Sequence, residues 1–143
     1  MYEDYSRQSL PSKKYRELLG TAFCVFNSNN KFVIENILKL DRYHYYSWYE
    51  LIDKDSALLL TDIKKTITRE SGPEIAETFN ELVQMRARLV QSFQVTVDDG
   101  VDNQILATRY SDGRQEYITQ QYLLNFIKLN QKLSDLLYDL RGY

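Results

Sequence analysis

Apolar side chains recur every three or four residues along most of this chain, which is the spacing of amphipathic helices. The first such stretch runs from Ser12 to Phe26, and apolar positions resume over 32–40. Between them lies the polar cluster Asn27-Ser28-Asn29-Asn30, which permits either a break or a continuation of the helix. The first forty residues therefore predict one long helix or two shorter ones, followed by a loop over 41–46.

Further helices are indicated by start signals as well as by periodicity. Ser47-Trp48-Tyr49-Glu50 has the form of a capping box, and residues 58–69 again show helical spacing. Ser71-Gly72-Pro73-Glu74 offers a capping serine, a first-turn proline and an acidic residue. This signal predicts a helix that Ser71 caps and that ends near Ser92.

Beyond that helix the period of the pattern changes to two. Residues 93–97 alternate between apolar and polar, and two further short strands are predicted over 104–110 and 115–118. Asp98-Asp99-Gly100 and Ser111-Asp112-Gly113 supply the turns.

A last helix, capped by Thr119, closes with Arg141 and Gly142. We therefore expect a mainly α fold: a helical bundle with a small antiparallel β-hairpin or meander inserted at about 93–118, before the last helix.

Composition indicates one ordinary globular domain. The chain has 143 residues, 43% of them hydrophobic and 27% charged, and we expect a flexible arm over 1–11 followed by a single domain over 12–143. The net charge of −2 gives no global attraction to nucleic acid or an anionic membrane, so any RNA contact needs a local basic patch. Cys24 is the single cysteine, and no apolar run is long enough to span a membrane. A cytoplasmic protein is the simplest expectation.

Arg86 interrupts the apolar face of the helix that begins near Glu74. On a helical wheel it lies near the middle of an arc formed by Ile75, Phe79, Leu82, Val83, Leu89, Val90 and Phe93. A buried guanidinium costs several kcal/mol unless acceptors compensate it. Two explanations stay open: an ion pair with Glu35, Glu50 or Asp135, or a functional role.

The stretch Arg86-Ala87-Arg88-Leu89-Val90-Gln91, late on a bundle helix, resembles the R-x4-6-H signature of the HEPN family. The resemblance implies a helical domain that dimerises with its motif helices facing each other and, in active members, cleaves RNA without a metal. Arg86 matches the arginine that would bind phosphate. Ala87 stands at a position that is often polar, and Gln91 stands at the histidine position.

These departures remove the proton-transfer chemistry that the resemblance implies. A glutamine cannot take up a proton at neutral pH as a histidine can, and Ala87 offers no polar group. We therefore expect a HEPN-like protein of toxin or phage-defence type that is catalytically silent as written, either naturally or by inactivation. Arg88 and Gln84 are the candidate substrate-binding residues. RNA, an antitoxin-type partner and a second copy of the chain are the expected partners, with no membrane, metal or cofactor.

The alternative is a non-enzymatic module that acts by dimerising or by binding a partner protein. It would keep the same helical frame, with Arg86 in a structural role.

Several other features admit a functional or a structural interpretation. The aromatic run 43–49 contains the only histidine, His44, and could either stack bases or cover the bundle end. The basic residues Lys64, Lys65 and Arg69 are most simply a solvated helix face, as are Lys13, Lys14 and Arg16. The acidic run 98–103 reads as a turn and not a calcium loop, and one His and one Cys are too few for a zinc site.

Overall fold

The computed structural model describes residues 2–98 and 103–142, and it confirms a mainly α fold with a three-stranded antiparallel sheet before the last helix. In chain order the helices and strands are α1 Lys13–Leu40, α2 Trp48–Asp53, a 3₁₀ turn Ser56–Leu58, α3 Leu59–Lys65, α4 Ile67–Ser71, α5 Glu74–Val90, β1 Phe93–Thr96, β2 Gln104–Arg109, β3 Gln115–Ile118 and α6 Gln120–Arg141.

The polar cluster at 27–30 does not break the first helix, because α1 continues through it. Asn29 is buried and its Nδ2 donates to the backbone carbonyl of Asn130, at 2.8 Å, and to the Oδ1 of Asn130, at 3.0 Å. Since α1 packs along α6, the amide that would favour a turn finds a partner on the neighbouring helix instead.

The segment 58–69 is helical as predicted, but it is not one continuous helix. The segment divides into the 3₁₀ turn, α3 and α4, with the break at Thr66, whose backbone lies at φ −122° and ψ −77°. The hydroxyl of Thr66 donates to the carbonyl of Asp62, at 2.7 Å. This bond to a carbonyl in the preceding turn is one that bends helices.

The prediction that Ser71 caps α5 was wrong. Ser71 is the last residue of α4 and its hydroxyl donates back to the carbonyl of Ile67, at 3.1 Å. The residue preceding α5 is Pro73, which makes no side-chain cap, and α5 starts at Glu74. The helix ends at Val90, which is 58% exposed and so does not belong to the buried arc predicted for it.

The sheet has the order β1-β2-β3, with Phe93 opposite Ala107 and Ala107 opposite Tyr117. The Ser111-Asp112-Gly113 turn joins β2 to β3, with Gly113 at φ +92°. Asp99 and Gly100 of the predicted first turn lie outside the described residues, as does Asp102.

The buried Tyr15 of α1 connects the sheet to the bundle. Its hydroxyl donates to the carbonyl of Ile118 and accepts from the N–H of Leu106, at 3.0 Å.

The last helix begins and ends as predicted. The side chain of Thr119 accepts from the N–H of Tyr122, and Gly142 follows the helix in the left-handed conformation. The buried face of α6 meets α1 and α5 in the core. There the ring of Phe26 packs between the rings of Phe79 and Phe126, and both centroid distances are 6.1 Å.

The segment before α1 contacts the rest of the domain. Arg16 forms an ion pair with Glu3, at 2.7 Å, and donates to the hydroxyl of Tyr5. Gln94 of β1 donates to the carbonyl of Ser9, at 2.6 Å. Within residues 2–98 and 103–142, no helix has the length and apolar character needed to cross a membrane.

Candidate functional site

The five residues singled out from the sequence divide between two faces of α5. Gln84, Arg88 and Gln91 line a groove between the end of α5, the β2–β3 turn and the start of α6. Arg86 faces α1 instead, and Ala87 is half-buried between them. Since successive residues of a helix are rotated by about 100°, Arg86 and Gln91 project about 140° apart. The structure therefore does not bring the arginine and the glutamine of the motif together within one chain.

Arg86 lies over the aromatic core. Its guanidinium carbon is 5.0 Å from the centroid of the Phe26 ring, which is a cation–π arrangement. The Nε of Arg86 is buried without a hydrogen-bond partner. Aromatic contact, rather than a hydrogen-bonded network, holds this side chain.

The three carboxylates considered as ion-pair partners for Arg86 are engaged elsewhere. Glu35 is paired with Lys31, Glu50 with Lys54, and Asp135 accepts from Gln131. Within residues 2–98 and 103–142, Arg86 forms no ion pair. A structural ion pair therefore does not explain its position.

The groove on the other side of α5 has a volume of about 750 Å³, and we call it the arginine–tyrosine groove. Its lining combines arginine, tyrosine and amide side chains: Gln84, Met85, Arg88, Gln91, Arg109, Tyr110, Ser111 and Tyr122. Two arginines line it, and there is no carboxylate among these residues. The groove is thus locally cationic on a chain whose net charge is −2.

Tyr110 is held between two guanidinium groups. The guanidinium carbon of Arg88 lies 5.1 Å from the ring centroid and that of Arg114 lies 4.4 Å away. The hydroxyl of Tyr110 donates to Glu116, at 2.8 Å, and this hydrogen bond is the main reason that the pKa of Tyr110 is raised. Arg88 is fixed further by donating to Gln91 Oε1, at 3.0 Å. These contacts orient the charged and aromatic groups at the groove before any ligand arrives.

Tyr122 forms the floor of the groove on the α6 side. Its hydroxyl donates to the carbonyl of Met85, at 3.0 Å, and burial raises the pKa of Tyr122 to about 12. The phenol is neutral at physiological pH, as an unshifted tyrosine is, and the shift keeps it neutral at higher pH as well.

The arrangement is suited to binding anions and aromatic rings. Guanidinium groups bind phosphate through paired hydrogen bonds. Tyr110 and Tyr122 are half-buried, so their rings offer a base only part of their surface for stacking. The lining contains no histidine and no carboxylic acid: Gln91 is an amide, and His44 lies in the loop after α1, outside this lining. In the described part of the chain, no three His, Cys, Asp or Glu side chains are grouped as metal ligands.

Sequence reasoning missed Arg109, Tyr110 and Tyr122. They are about 20 to 40 residues from α5 in the chain, and no local spacing connects them to it. The one available signal was Arg109-Tyr110 directly before the Ser111-Asp112-Gly113 turn, since a cation beside a hairpin turn is usually solvent-accessible, as Arg109 is.

Comparison of the chain with protein-family models, with curated proteins and with solved structures found no match.

Proposed function

We propose that this chain is a HEPN-like protein of toxin or phage-defence type that binds single-stranded RNA in the arginine–tyrosine groove and does not cleave it. The observation that carries the proposal is the groove lining, where Arg88 and Arg109 accompany two tyrosines without a carboxylate. Single-stranded RNA presents phosphates for the arginines and unstacked bases for the rings.

The exposed thiol of Cys24 suits a reducing compartment, and we propose that the protein is cytoplasmic.

Binding is tested by fluorescence anisotropy with a short labelled single-stranded RNA at several salt concentrations. Each phosphate contact on single-stranded nucleic acid contributes about 0.7 to the slope of log K against log salt. We therefore expect Arg88→Gln/Arg109→Gln to weaken binding and to reduce the slope by about 1.4. Lys128→Gln/Lys132→Gln on α6, outside the groove lining, is the matched control.

If the control lowers affinity as much as the groove variant does, RNA binding is non-specific and the groove assignment fails. If Arg86→Met abolishes binding while the groove variant does not, phosphate binds at the motif arginine instead.

The HEPN resemblance is tested separately by cleavage in EDTA. We expect the chain as written to leave RNA intact and Ala87→Asn/Gln91→His to cleave it, with cleavage lost again on Arg86→Ala. Absence of cleavage by the folded double variant would contradict the HEPN assignment and favour the alternative, a module that dimerises or binds a partner.

One observation favours that alternative, because it points to dimerisation through the sheet and not through the motif helices that the HEPN resemblance implies. Phe93 and Tyr117 flank Ala107 on one face of the sheet and are 41% and 57% exposed. Two exposed rings on one face are suited to a second copy of the chain. Light scattering at tens of micromolar should give a dimer mass, which Phe93→Ser/Tyr117→Ser should halve; a monomeric mass for the unsubstituted chain contradicts dimerisation.

A further inference from the structure

A second cavity, of about 700 Å³, lies at the other end of the bundle, between the loop that follows α1 and helices α3 and α4. Its volume falls within the roughly 300–1,000 Å³ of small-molecule sites. The lining brings a tyrosine-rich loop against basic helix residues: Leu40, Asp41, Arg42, Tyr43, Tyr45, Tyr46, Lys65, Thr66, Arg69 and Glu70. Lys65 and Arg69 are 19 to 26 positions from the tyrosines in the chain, so only the fold joins these two groups.

The loop over residues 41–47, which we call the tyrosine loop, is held in place by its first residue, Asp41. The carboxylate of Asp41 accepts from the N–H groups of Tyr45, at 3.1 Å, and Tyr46, at 2.9 Å. His44 takes a left-handed conformation, with φ 55°, which completes the turn. Burial acts to raise the pKa of Asp41, but the N–H groups of the loop outweigh it and hold the pKa below its usual value. The loop is therefore tied by an ionised carboxylate at neutral pH.

The fixed loop presents two tyrosine rings to solvent. Tyr43 and Tyr45 are 72% and 74% exposed, and their ring centroids are 5.5 Å apart with planes inclined by 33°. They therefore leave ring surface at the cavity mouth uncovered, and an aromatic ligand can stack there.

The facing wall holds unneutralised positive charge. The lining has three cations and two carboxylates, but Glu70 is paired with Arg42 and the oxygens of Asp41 are taken up by loop N–H groups. Lys65 and Arg69 are exposed, and neither forms an ion pair within the described residues. Their charges are thus available to an anionic ligand.

We propose that this cavity binds a nucleoside phosphate, with the base against Tyr43 or Tyr45 and the phosphate between Lys65 and Arg69. The proposal is independent of the arginine–tyrosine groove. The same chemistry is offered by a free nucleotide and by a terminal nucleotide of an RNA chain, and the experiment separates these two sources.

The test is isothermal titration of the full chain with adenosine 5′-monophosphate, adenosine, inorganic phosphate and a short 5′-phosphorylated RNA. We expect the monophosphate to bind at least about tenfold more tightly than adenosine, since only it engages both walls. Removing the stacking rings by Tyr43→Ala/Tyr45→Ala should weaken binding by about 5- to 150-fold. Lys65→Gln/Arg69→Gln should remove the preference for the monophosphate over adenosine.

The chain offers a matched control for each variant. Lys64 is exposed beside Lys65 and Tyr49 is 79% exposed, but neither lines the cavity. Lys64→Gln and Tyr49→Ala should therefore bind as the unsubstituted chain does. Binding of the RNA alone would assign the site to an RNA terminus.

Three results would overturn the proposal: no binding of either phosphorylated probe at millimolar concentration, equal losses in the control variants, or loss of monophosphate binding in Arg88→Gln/Arg109→Gln. The last result would place the ligand in the other groove.

Discussion

Replacing Arg86 by methionine should leave the protein as stable as before or more stable. The buried Nε lacks a hydrogen-bond partner, and an unsatisfied buried donor costs about 1–3 kcal/mol. The contact of the guanidinium with Phe26, at 5.0 Å, returns about 0.5–2 kcal/mol. Methionine fills a similar volume and keeps a favourable sulfur–aromatic contact of about 0.3–1.5 kcal/mol. At the midpoints of these three ranges the balance is a gain of about 1.7 kcal/mol in the free energy of unfolding, and over their full width it runs from a loss of about 0.7 to a gain of about 4 kcal/mol.

The assay is urea unfolding followed by far-UV circular dichroism and by the fluorescence of Trp48, the single tryptophan. With an m-value of about 1–3 kcal/mol/M, a gain of about 1 kcal/mol moves the midpoint upward by about 0.3–1 M. The control is Arg88→Met, which removes the hydrogen bond to Gln91 and the contact with Tyr110. It should lower stability by about 0.5–1.5 kcal/mol.

A loss of about 3 kcal/mol or more in Arg86→Met would refute this reasoning. A loss of that size is typical of breaking a buried ion pair, and it would mean that a carboxylate compensates the guanidinium after all. A stabilising result would instead identify Arg86 as a residue retained at some cost in stability, as functional residues often are, and a neutral result would show that no buried ion pair holds it.

Two further predictions concern buried polar groups. Burial raises the pKa of Tyr122 from 10.0 to about 12. Between pH 10 and pH 12 the folded chain therefore keeps the phenol proton that the unfolded chain has lost. The stabilisation that results is complete below pH 10 and is lost as the pH rises towards 12. Urea titrations should show stability falling less steeply over that interval in Tyr122→Phe, and equal slopes would contradict the shift. Asn130→Leu should cost about 1–3 kcal/mol, because it removes the acceptor Oδ1 from Asn29 and the donor to the carbonyl of Phe126. In thermal unfolding, Asn29→Leu/Asn130→Leu should cost less than the sum of the single variants, and strict additivity would show that the two amides are not coupled.

Features that depend on neighbours in the chain were predictable from the sequence. Ser47 and Thr119 cap α2 and α6 because a hydroxyl three residues before a backbone N–H reaches it in the first turn of a helix. The change to a period of two located the sheet, and β3 spans the predicted residues 115–118. These interactions are set by covalent spacing, so no knowledge of the fold is needed to infer them.

The candidate site was only partly predictable for the same reason. Gln84, Arg88 and Gln91 share a helix face by periodicity, and the groove contains all three. Arg109, Tyr110 and Tyr122 reach that groove from the sheet and from α6, and helical spacing carries no information about them. Arg86 was correctly noted as an exception on an apolar face, but its partner proved to be an aromatic ring on α1 and not a carboxylate.

The sequence by itself thus determined the secondary-structure classes, the β insertion before the last helix and the presence of one arginine among apolar residues. Tertiary structure alone decided that α1 continues through Asn29, that the 58–69 segment bends at Thr66, and that two tyrosine–cation cavities exist at opposite ends of the bundle. The physical reason is the range of each interaction. Caps and periodicity act over three or four residues, whereas a buried amide or an exposed cation is satisfied by whatever the packed helices bring beside it, which for Asn29 is a residue 101 positions away.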